Sequence, residues 1–429
     1  MSDVGPEEGW CQVADTLIVA DRVVPATGAD IFMPGFVRIS RGTIAEVARG
    51  RPAGTADLEL TDGVLVPGFV DLQVNGHFGV DLAAVDPAGW ASVVARLPET
   101  GTTAFLPTFI TAPVHKLAAA LRATREFGPG LPFGARVLGV HVEGPFISLR
   151  RRGAHDPEWI IEPEPEAVGE LLDAGRGVLR LVTLAPERPG AIAAIKRFTE
   201  AGVLVSVGHS DATAQQVAAA ADAGASVVTH LFNAQTGMHH RAPGVVGQAL
   251  VDRRLTSGLI ADLHHVAASV CAIAFAAAAG RIAIVTDAAA CADMPPGRYQ
   301  LGGQLIKLPP GGGVPPMRAD GTLAGSGLRM DLGVANIVAV GVDLITAVTA
   351  ATRIPADLMR RPDLGRIAPG AAADMVWLSN DLRTRATWIA GEIVYSAVAG
   401  FGETHGAGSA SHHAFAPTTH GDPLGAHGR

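Results

Sequence analysis

The sequence contains little cysteine and no long uninterrupted apolar run. Its three cysteines, Cys11, Cys271 and Cys291, are an odd number without a CxxC pair, which argues against a disulfide framework and against a cysteine-rich metal site. The most apolar stretch, residues 266–279, is shorter than the roughly 20 residues that a helix needs to span a bilayer. We therefore expect no membrane partner and interpret this stretch as a buried helix of the fold.

Charged residues are also scarce. They make up 17% of the chain with a formal net charge of −8, which argues against a nucleic-acid-binding surface, whereas 48% apolar residues argue against disorder over most of the length. The first ten residues, MSDVGPEEGW, lack the basic and apolar segments of a signal peptide. We expect a cytoplasmic protein whose partner is a small molecule.

The two ends of the chain share a texture of short strands. Residues 1–66 contain the runs TLIVA, FVRIS and TIAEVA, separated by Gly, Pro and Asp as in a small antiparallel sheet, and similar runs recur at 365–399. We predict that both ends form one small β-sandwich domain. Residues 400–429, rich in Gly, Ala, His, Ser and Thr without periodicity, are predicted to be a disordered tail whose histidines could bind metal weakly or be merely solvated.

Between residues 67 and 364 the pattern changes to apolar strands that alternate with alanine-rich helical segments. The eight strand-like runs are GFVDLQV, TAFLPTF, RVLGVHVEG, LRLVTLAPE, VLVSVGH, SVVTHLF, TSGLIAD and IAIVTDA. Such alternation predicts βα units and a parallel sheet. We predict an α/β fold with a (β/α)8 TIM-like barrel over 67–364.

Three potential metal ligands stand at the ends of these strands. They are Glu143 in HVEGPF, His209 in VSVGHSD and His230 in VVTHLFNA. The C-terminal ends of barrel strands meet at one mouth, and catalytic zinc usually takes three protein ligands of nitrogen or oxygen type plus a water. Each residue alone could be a hydrogen-bonded structural side chain, but together they predict a metal centre.

Two further residues could complete hydrolytic chemistry. Asp287, in IVTDAAA, follows an apolar run where an unpaired carboxylate is costly, so we interpret it as a general base for water, with a helix N-cap as the alternative. His155, in RRRGAHDPEW, could hydrogen-bond a substrate carbonyl, or it could be a loop histidine without a task.

The loops after the sixth and seventh strands carry candidate anion-binding groups. Arg241 in MHHRAPG could engage a phosphate, and His265 in DLHHVA lies on the following loop. The backbone around Asn233 and Ala234 could add N–H donors. A solvated surface arginine is the alternative for Arg241.

Taken together, the motifs resemble the N-acetylglucosamine-6-phosphate deacetylase family of the amidohydrolase superfamily. The resemblance runs from about residue 65 to 396 and rests on PGFVDLQVNG (67–76), HVEGPF, RGAHDPEWI, VGHSDAT, THLFNA with RAPG, GLIAD with HHV, VTDA and GTLAGSG (321–327). It implies a zinc-dependent enzyme of amino-sugar catabolism that converts N-acetyl-D-glucosamine 6-phosphate to glucosamine 6-phosphate and acetate.

The resemblance also assigns residue roles. It implies that Glu143, His209 and His230 are metal ligands, that Asp287 is the catalytic acid/base and that His155 orients the acetyl carbonyl. The implied substrate-binding residues are Ala154, His155, Asn233, Ala234, Arg241, Asp262, Leu263, His264, His265, Leu323, Ala324 and Gly325. Members of the family are commonly dimers, so we expect a homodimer in which Arg241 serves its own or the neighbouring subunit.

Two amides and three substitutions qualify this interpretation. Gln73 and Asn75 occupy positions where superfamily relatives often carry His-x-His for a second metal, and amides are poor zinc ligands, so we expect one divalent ion, zinc, per subunit. His77, Ala242 and Leu263 depart from the family pattern near the substrate. The alternatives are a deacylase of another N-acyl sugar or N-acyl amino acid, and a catalytically silent barrel scaffold.

Overall fold

The computed structural model describes residues 15–28, 30–311 and 314–402. Beyond residue 402 the predicted tail with its histidines lies outside the described residues, as does Cys11. The strands of the described residues are β1 (Thr16–Ala20), β2 (Gly35–Ser40), β3 (Thr43–Arg49), β4 (Leu58–Leu60), β5 (Val64–Pro67), β6 (Phe69–Val74), β7 (Gly76–His77), β8 (Val80–Asp81), β9 (Thr102–Ile110), β10 (Arg136–Val137), β11 (Val140–Glu143), β12 (Leu179–Leu184), β13 (Leu204–Val207), β14 (Val227–Val228), β15 (Thr256–Ile260), β16 (Ile282–Val285), β17 (Gly297–Leu301), β18 (Gln304–Leu308), β19 (Met375–Leu378), β20 (Thr384–Ile389) and β21 (Glu392–Ser396).

Helices follow most of the barrel strands. The α-helices of the described residues are α1 (Pro87–Arg96), α2 (Val114–Phe127), α3 (Pro165–Ala174), α4 (Ala191–Glu200), α5 (Ala214–Asp222), α6 (Gly244–Val251), α7 (Ala268–Ala277), α8 (Met330–Ala339), α9 (Leu344–Ala351) and α10 (Arg353–Leu358). Short 3₁₀ turns occupy Leu82–Ala84, Leu97–Thr100, Gly128–Gly130, Leu149–Arg151 and Pro157–Trp159.

Eight parallel strands form the barrel. Their hydrogen-bonded order is β6, β9, β11, β12, β13, β14, β15 and β16, and the seam between β16 and β6 is closed by a parallel bridge between Val74 and Ala288. All nine residues of β9 are buried, as expected for strands covered on both faces. The predicted (β/α)8 barrel is confirmed.

Some element boundaries differ from the sequence-based expectation. The run RVLGVHVEG forms two strands, β10 and β11, because the chain turns at Gly139, whose φ of 132° favours glycine. The helical run from residue 344 breaks at Thr352 into α9 and α10. Helix α7, expected to be buried, is only half so: Cys271 is inaccessible, whereas Ile273 is 54% exposed.

The chain ends build two four-stranded sheets beside the barrel. One has the order β3-β2-β1-β4 and the other β21-β20-β19-β5, so the second sheet joins strands from both ends of the chain. A second apolar core, including Ile18, Leu65, Met375 and Trp388, lies among these strands. Because Pro67 pairs with Met375, the strand that precedes the barrel belongs to this sheet. The division into domains at 1–66 with 365–399, 67–364 and 400–429 stays a prediction.

A long excursion follows the last barrel strand. It contains the antiparallel hairpin β17–β18 and returns to the barrel mouth at Ser326. There the N–H of Ser326 donates to the carbonyl of Asp287 (2.8 Å) and the N–H of Ala289 donates to the carbonyl of Ser326 (2.9 Å). The excursion therefore starts and finishes at neighbouring points of the mouth. Among the described residues no helix combines the length and apolar character needed to cross a membrane.

Candidate active site

The predicted metal ligands and the predicted base all follow barrel strands. Glu143 is the last residue of β11, while His209, His230 and Asp287 lie two residues beyond β13, β14 and β16. Because the strands are parallel and in one ladder, these ends share one mouth. All four residues are buried there, between 2% and 8% exposed.

Three ligand atoms lie within contact of one another at this mouth. Nε2 of His230 lies 2.9 Å from Oε1 of Glu143 and 3.1 Å from Nε2 of His209, and Nε2 of His209 lies 3.3 Å from the same carboxylate oxygen. Tetrahedral zinc with bonds of about 2.0–2.2 Å separates its ligand atoms by roughly 3.3–3.6 Å, a few tenths of an ångström more than in this triangle. A cation would displace the protons that these groups share. The donor set therefore fits one divalent ion.

His155 adds a fourth group to this cluster. A wider set formed by Glu143, His155 and His209 has ligand atoms that all lie within 4.8 Å of one another. Nε2 of His155 is 3.8 Å from Oε2 of Glu143, farther than the contacts within the His230 triangle. The triangle with His230 has the shorter distances and is closer to a single coordination sphere, and His155 lies beside it.

The ring of His209 is oriented by the backbone. Its Nδ1 lies 2.8 Å from the carbonyl oxygen of Arg151, an acceptor, so Nδ1 carries the proton and Nε2 presents its lone pair to the cluster. Nδ1 of His230, by contrast, is buried and has no hydrogen-bond partner among the described residues. A hydrogen bond at Nδ1 therefore fixes the ring of His209, whereas the ring of His230 has none at Nδ1.

Glu143 stays ionised in spite of its burial. Burial disfavours the carboxylate, but its close contacts with the rings of His209 and His230 outweigh that cost and hold the pKa of Glu143 well below its usual range. The Nε2–H of Gln73 donates to the same carboxylate oxygen at 3.1 Å. A permanent negative charge at this position suits a cation ligand.

His155 presents a donor to the pocket. The N–H of Thr111 points at Nδ1 of His155 (3.3 Å), which must then act as an acceptor, so the ring proton sits on Nε2. Burial, followed by the proximity of His209, holds the pKa of His155 well below its usual range and keeps the ring neutral. A neutral imidazole with Nε2–H can hydrogen-bond an acyl oxygen.

Hydrogen bonds hold both the backbone and the side chain of Asp287. Its N–H donates to the carbonyl of Gln73 (2.9 Å), and Nδ2 of Asn75 donates to its Oδ1 (2.6 Å). Burial, followed by repulsion from Glu143, raises the pKa of Asp287 to about 6. A carboxyl group poised so close to neutrality can both accept and return a proton.

Several residues of the mouth adopt left-handed backbone conformations that disfavour side chains. They include His209 (φ 45°), Ala234 (φ 49°) and Asp287 (φ 50°). Each conformation costs on the order of 1–3 kcal/mol unless the surroundings enforce it. Backbone donors enforce it here, since Ser148 donates to the carbonyl of His209 (2.9 Å) and Ser210 to that of Ala234 (3.1 Å). The mouth is thus preorganised.

A cavity of about 330 Å³ opens above these residues. Its size is at the lower end of the roughly 300–1,000 Å³ typical of small-molecule sites. The predicted residues that line it are Glu143, Ala154, His155, His209, His230, Asn233, Ala234, His265, Asp287, Leu323 and Gly325. The ring of His265 is fixed by Asp262, whose Oδ2 lies 2.6 Å from its Nδ1. The structure therefore brings most of the predicted site together.

Five predicted substrate-binding residues do not line this cavity. Arg241 lies on an exposed loop, where its guanidinium meets His240 (2.8 Å) instead of the pocket. Asp262, Leu263 and His264 face a separate cavity of about 490 Å³ on the other side of their loop. Ala324, between Leu323 and Gly325 in the sequence, is fully buried. Direct contact of these five residues with substrate stays a prediction.

Two arginines that the sequence analysis did not single out do line the pocket. Arg150 and Arg151 reach its rim, and both pair with Asp211, at 3.1 Å and 2.9 Å. The run RRRG before His155 could have indicated basic residues near the pocket. A run of like charges does not reveal, however, which of its side chains line the pocket. Ile110, Ile260 and Leu301 form apolar walls, which were also not anticipated.

The chain is similar to known proteins over most of its length. The profile of the amidohydrolase family matches residues 64–394. An N-acetylgalactosamine-6-phosphate deacetylase of Escherichia coli O157:H7 is 38% identical over 360 residues, covering 83% of this chain and 94% of its own length. An N-acetylglucosamine-6-phosphate deacetylase of Bacillus subtilis (strain 168) is 33% identical over 396 residues, covering 89% of this chain and 98% of its own.

A solved structure shares both fold and sequence with this chain. The N-acetyl-D-glucosamine-6-phosphate deacetylase of Mycobacterium smegmatis superposes with a TM-score of 0.84 and 36% identity, covering 89% of this chain and all of the other. A mutant of that protein was solved in complex with N-acetyl-D-glucosamine-6-phosphate, with the same TM-score of 0.84.

Proposed function

This chain belongs to the amidohydrolase family, and we propose that it hydrolyses the acetamide of N-acetyl-D-glucosamine 6-phosphate to glucosamine 6-phosphate and acetate, a step of amino-sugar catabolism. One observation carries the proposal: a compact set of metal-ligand atoms lies beside both a buried carboxyl near neutrality and a neutral imidazole donor. Relatives at 33–38% identity with deacetylase activity on phosphorylated amino sugars support it.

The proposed cofactor is one divalent ion per subunit, and we expect zinc. Glu143, His209 and His230 would hold it, since their ligand atoms form the triangle described above. When bound, the ion would polarise the acyl carbonyl and acidify water. Gln73 and Asn75 offer no strong second site, because both amides already donate to the neighbouring carboxylates Glu143 and Asp287.

The chain's own residues then supply the proton transfers. Asp287 takes a proton from the attacking water, and Asn75 keeps its carboxylate turned toward the pocket. The Nε2–H of His155 donates to the acyl oxygen as negative charge develops there. Asp287 returns the proton to the departing nitrogen, so that the C–N bond breaks and the amine and acetate separate.

The 6-phosphate would be held at the rim of the pocket. Both rim arginines pair with Asp211, and Arg151 is the less mobile choice for the phosphate because its side chain is 37% exposed, against 83% for Arg150. His265 and the loop residues Asn233 and Ala234 line the same pocket. Together they form a basic, donor-rich edge suited to a phosphate.

We further propose a homodimer, in which Arg241 contributes to the partner's site. Large apolar side chains are exposed on Met238, Val251 and Ile273, at 61%, 69% and 54%. They belong to the Arg241 loop and to the adjacent helices α6 and α7, and clustered exposed apolar groups often mark an interface. Arg241 lies outside the pocket of its own chain, as a residue that serves the partner's site would.

Release of acetate from a substrate panel tests the proposal. The panel contains N-acetylglucosamine and N-acetylgalactosamine, each with and without 6-phosphate, and an N-acetyl amino acid. Metal content is measured in the same preparation. We expect one tightly bound zinc and fastest release from N-acetylglucosamine 6-phosphate. A zinc-loaded chain that releases acetate from none of the five would contradict the proposal and favour the scaffold alternative.

A second substrate has a specific argument. A relative at 38% identity acts on N-acetylgalactosamine 6-phosphate, which differs from the glucosamine compound in the configuration at one carbon. Faster release from the galactosamine compound would assign this chain to that substrate while leaving the hydrolytic site unchanged.

A further inference from the structure

Ile110 stands between two cavities of the molecule. It ends strand β9 and lines the 330 Å³ pocket on one side and a cavity of about 750 Å³ on the other. Its side chain is only 5% exposed. The second cavity lies among β8, α2 and the β17–β18 hairpin, and it plays no part in the hydrolysis described above.

The strand register places Ile110 beside the reacting centre. Ile110 is the pairing partner of Glu143, the proposed metal ligand, on the adjacent strand. The next residue, Thr111, holds the ring of His155 through Nδ1. An acyl carbonyl that faces both the ligand triangle and His155 therefore lies next to Ile110.

The sugar and the acyl substituent leave the reacting carbon in different directions. Asn233 and His265, on the loops after β14 and β15, line the side of the pocket proposed for the sugar phosphate. Strand β9 lies on the other side of β11, away from those loops. The methyl group of an acetamide would then point at Ile110.

Packing prevents Ile110 from moving aside. The turn of the β17–β18 hairpin presses on it so closely that a Cβ built on Gly302 would come within 2.7 Å of its Cδ1. Leu301, one residue earlier, lines the same pocket and belongs to the same buried apolar cluster. The wall that separates the two cavities is therefore rigid.

The cavity behind this wall could hold an alkyl chain. Next to Ile110 it is lined by Phe109, Ala112 and Leu117. Of its charged lining residues, Lys116 and Arg298 are exposed, and the half-buried Asp81 accepts hydrogen bonds from the N–H groups of Ala83 and Gly303. The apolar lining close to the reacting carbon suits an acyl chain longer than acetyl.

We infer that Ile110 is the specificity-determining wall of the acyl subsite: it restricts the substrate to short acyl groups, and shortening it opens the second cavity to longer ones. This inference rests on the proposed function. The reaction itself is unchanged, since water adds its oxygen to the acyl carbon, the C–N bond breaks and the nitrogen takes up a proton. Only the acyl chain differs.

The test compares acyl chain lengths on one sugar. N-acetyl, N-propionyl and N-butyryl glucosamine 6-phosphate are hydrolysed by the wild-type chain and by Ile110→Ala, and kcat/KM is measured through the free amine released. We expect the butyryl-to-acetyl ratio to rise at least about 10-fold in Ile110→Ala, since each methylene in an apolar pocket changes selectivity by roughly 10–200-fold.

Two matched variants separate this wall from general loosening. Ile110→Leu conserves volume and should leave the ratio near that of the wild type. Leu117→Ala enlarges the second cavity without touching the wall, because Leu117 lines that cavity but not the pocket, and it should also leave the ratio unchanged. A rise in Leu117→Ala equal to that in Ile110→Ala would overturn the assignment.

A milder variant covers the case in which Ile110→Ala fails to fold. Ile110→Val removes one methylene and should raise the propionyl-to-acetyl ratio by about 3-fold. An unchanged ratio in the folded variants sinks the inference. Failure of the proposed function would look different: the wild-type chain would release no amine from the N-acetyl sugar phosphate, and the acyl series would then be run on whichever N-acetyl compound it does hydrolyse.

Discussion

The floor and the rim of the pocket are built in different ways. On the floor, Glu143 and Asp287 follow barrel strands, are almost fully buried, and are fixed by hydrogen bonds from Gln73 and Asn75. At the rim, the side chain of Arg150 is 83% exposed. The floor can therefore control reactivity through fixed geometry, whereas the rim can adapt to the charge of the substrate.

The most direct test of the floor is Asp287→Asn. Asparagine keeps the shape of the side chain but cannot accept the proton of water, so we expect kcat to fall by about 10²–10⁴-fold. Zinc content should stay at the wild-type level, because Asp287 is not part of the ligand triangle. Turnover close to that of the wild type would remove Asp287 from the mechanism.

His155→Gln should cause the second-largest loss of kcat. Removing a positioned donor to a developing oxyanion typically lowers kcat by about 10²–10³-fold. Thr111→Val is the companion variant, since it removes the hydroxyl 2.7 Å from Nδ1 of His155 but keeps the backbone N–H, and it should cost much less. Equal losses in both variants would indicate that His155 acts only through packing.

A change at the rim should affect binding selectively. Arg151→Ala is expected to raise KM about 10-fold for the 6-phosphorylated sugar, in line with the loss of a charge-assisted hydrogen bond, and to leave KM for the unphosphorylated sugar unchanged. Arg176→Ala, at a side chain 81% exposed and paired with Asp173, serves as the control. A KM that rises for both sugars would contradict the assignment of Arg151 to the 6-phosphate.

The smallest expected effect is a displacement of the pH profile. The pKa of Asp287 is raised to about 6, so below that pH the carboxyl is protonated and cannot act as a base, and kcat/KM should fall as the pH falls. A bound cation lowers the pKa of a nearby carboxyl, which places this acidic limb at or below pH 6. Asn75→Leu removes a donor to the carboxylate and should move the limb upward by less than about one pH unit. A limb that moves downward would contradict the role given to Asn75.

The same contrast explains what could be predicted from sequence. Strand periodicity identified the barrel and the strand ends, so Glu143, His209, His230 and Asp287 were foreseeable as neighbours. The left-handed backbone at Asp287 could not be foreseen, because it is enforced by Ser326, which lies about forty residues away on a returning loop. Neither could the positions of Arg150 and Arg151 at the rim, since each arginine in a run of three looks like the others.

The apolar wall at Ile110 could not be predicted from the sequence either, because it depends on long-range packing. Ile110 reads as one more residue of a buried strand, and its place against the turn at Gly302 depends on a hairpin that is far from it in sequence. Similarly, the break at Gly139 depends on close approach to Arg180 and Val178 of the neighbouring segment. Local propensity carries no information about such contacts.

The neighbouring attachment points of the excursion at Ala289 and Ser326 have a practical consequence. Since everything between them leaves and re-enters the barrel at one place, that stretch can be lengthened, shortened or exchanged as a cassette without pulling the strands apart. One hydrolytic centre could in this way be fitted with different covers for different acyl groups. Grafting the corresponding stretch from another amidohydrolase would be the natural starting point for redesign.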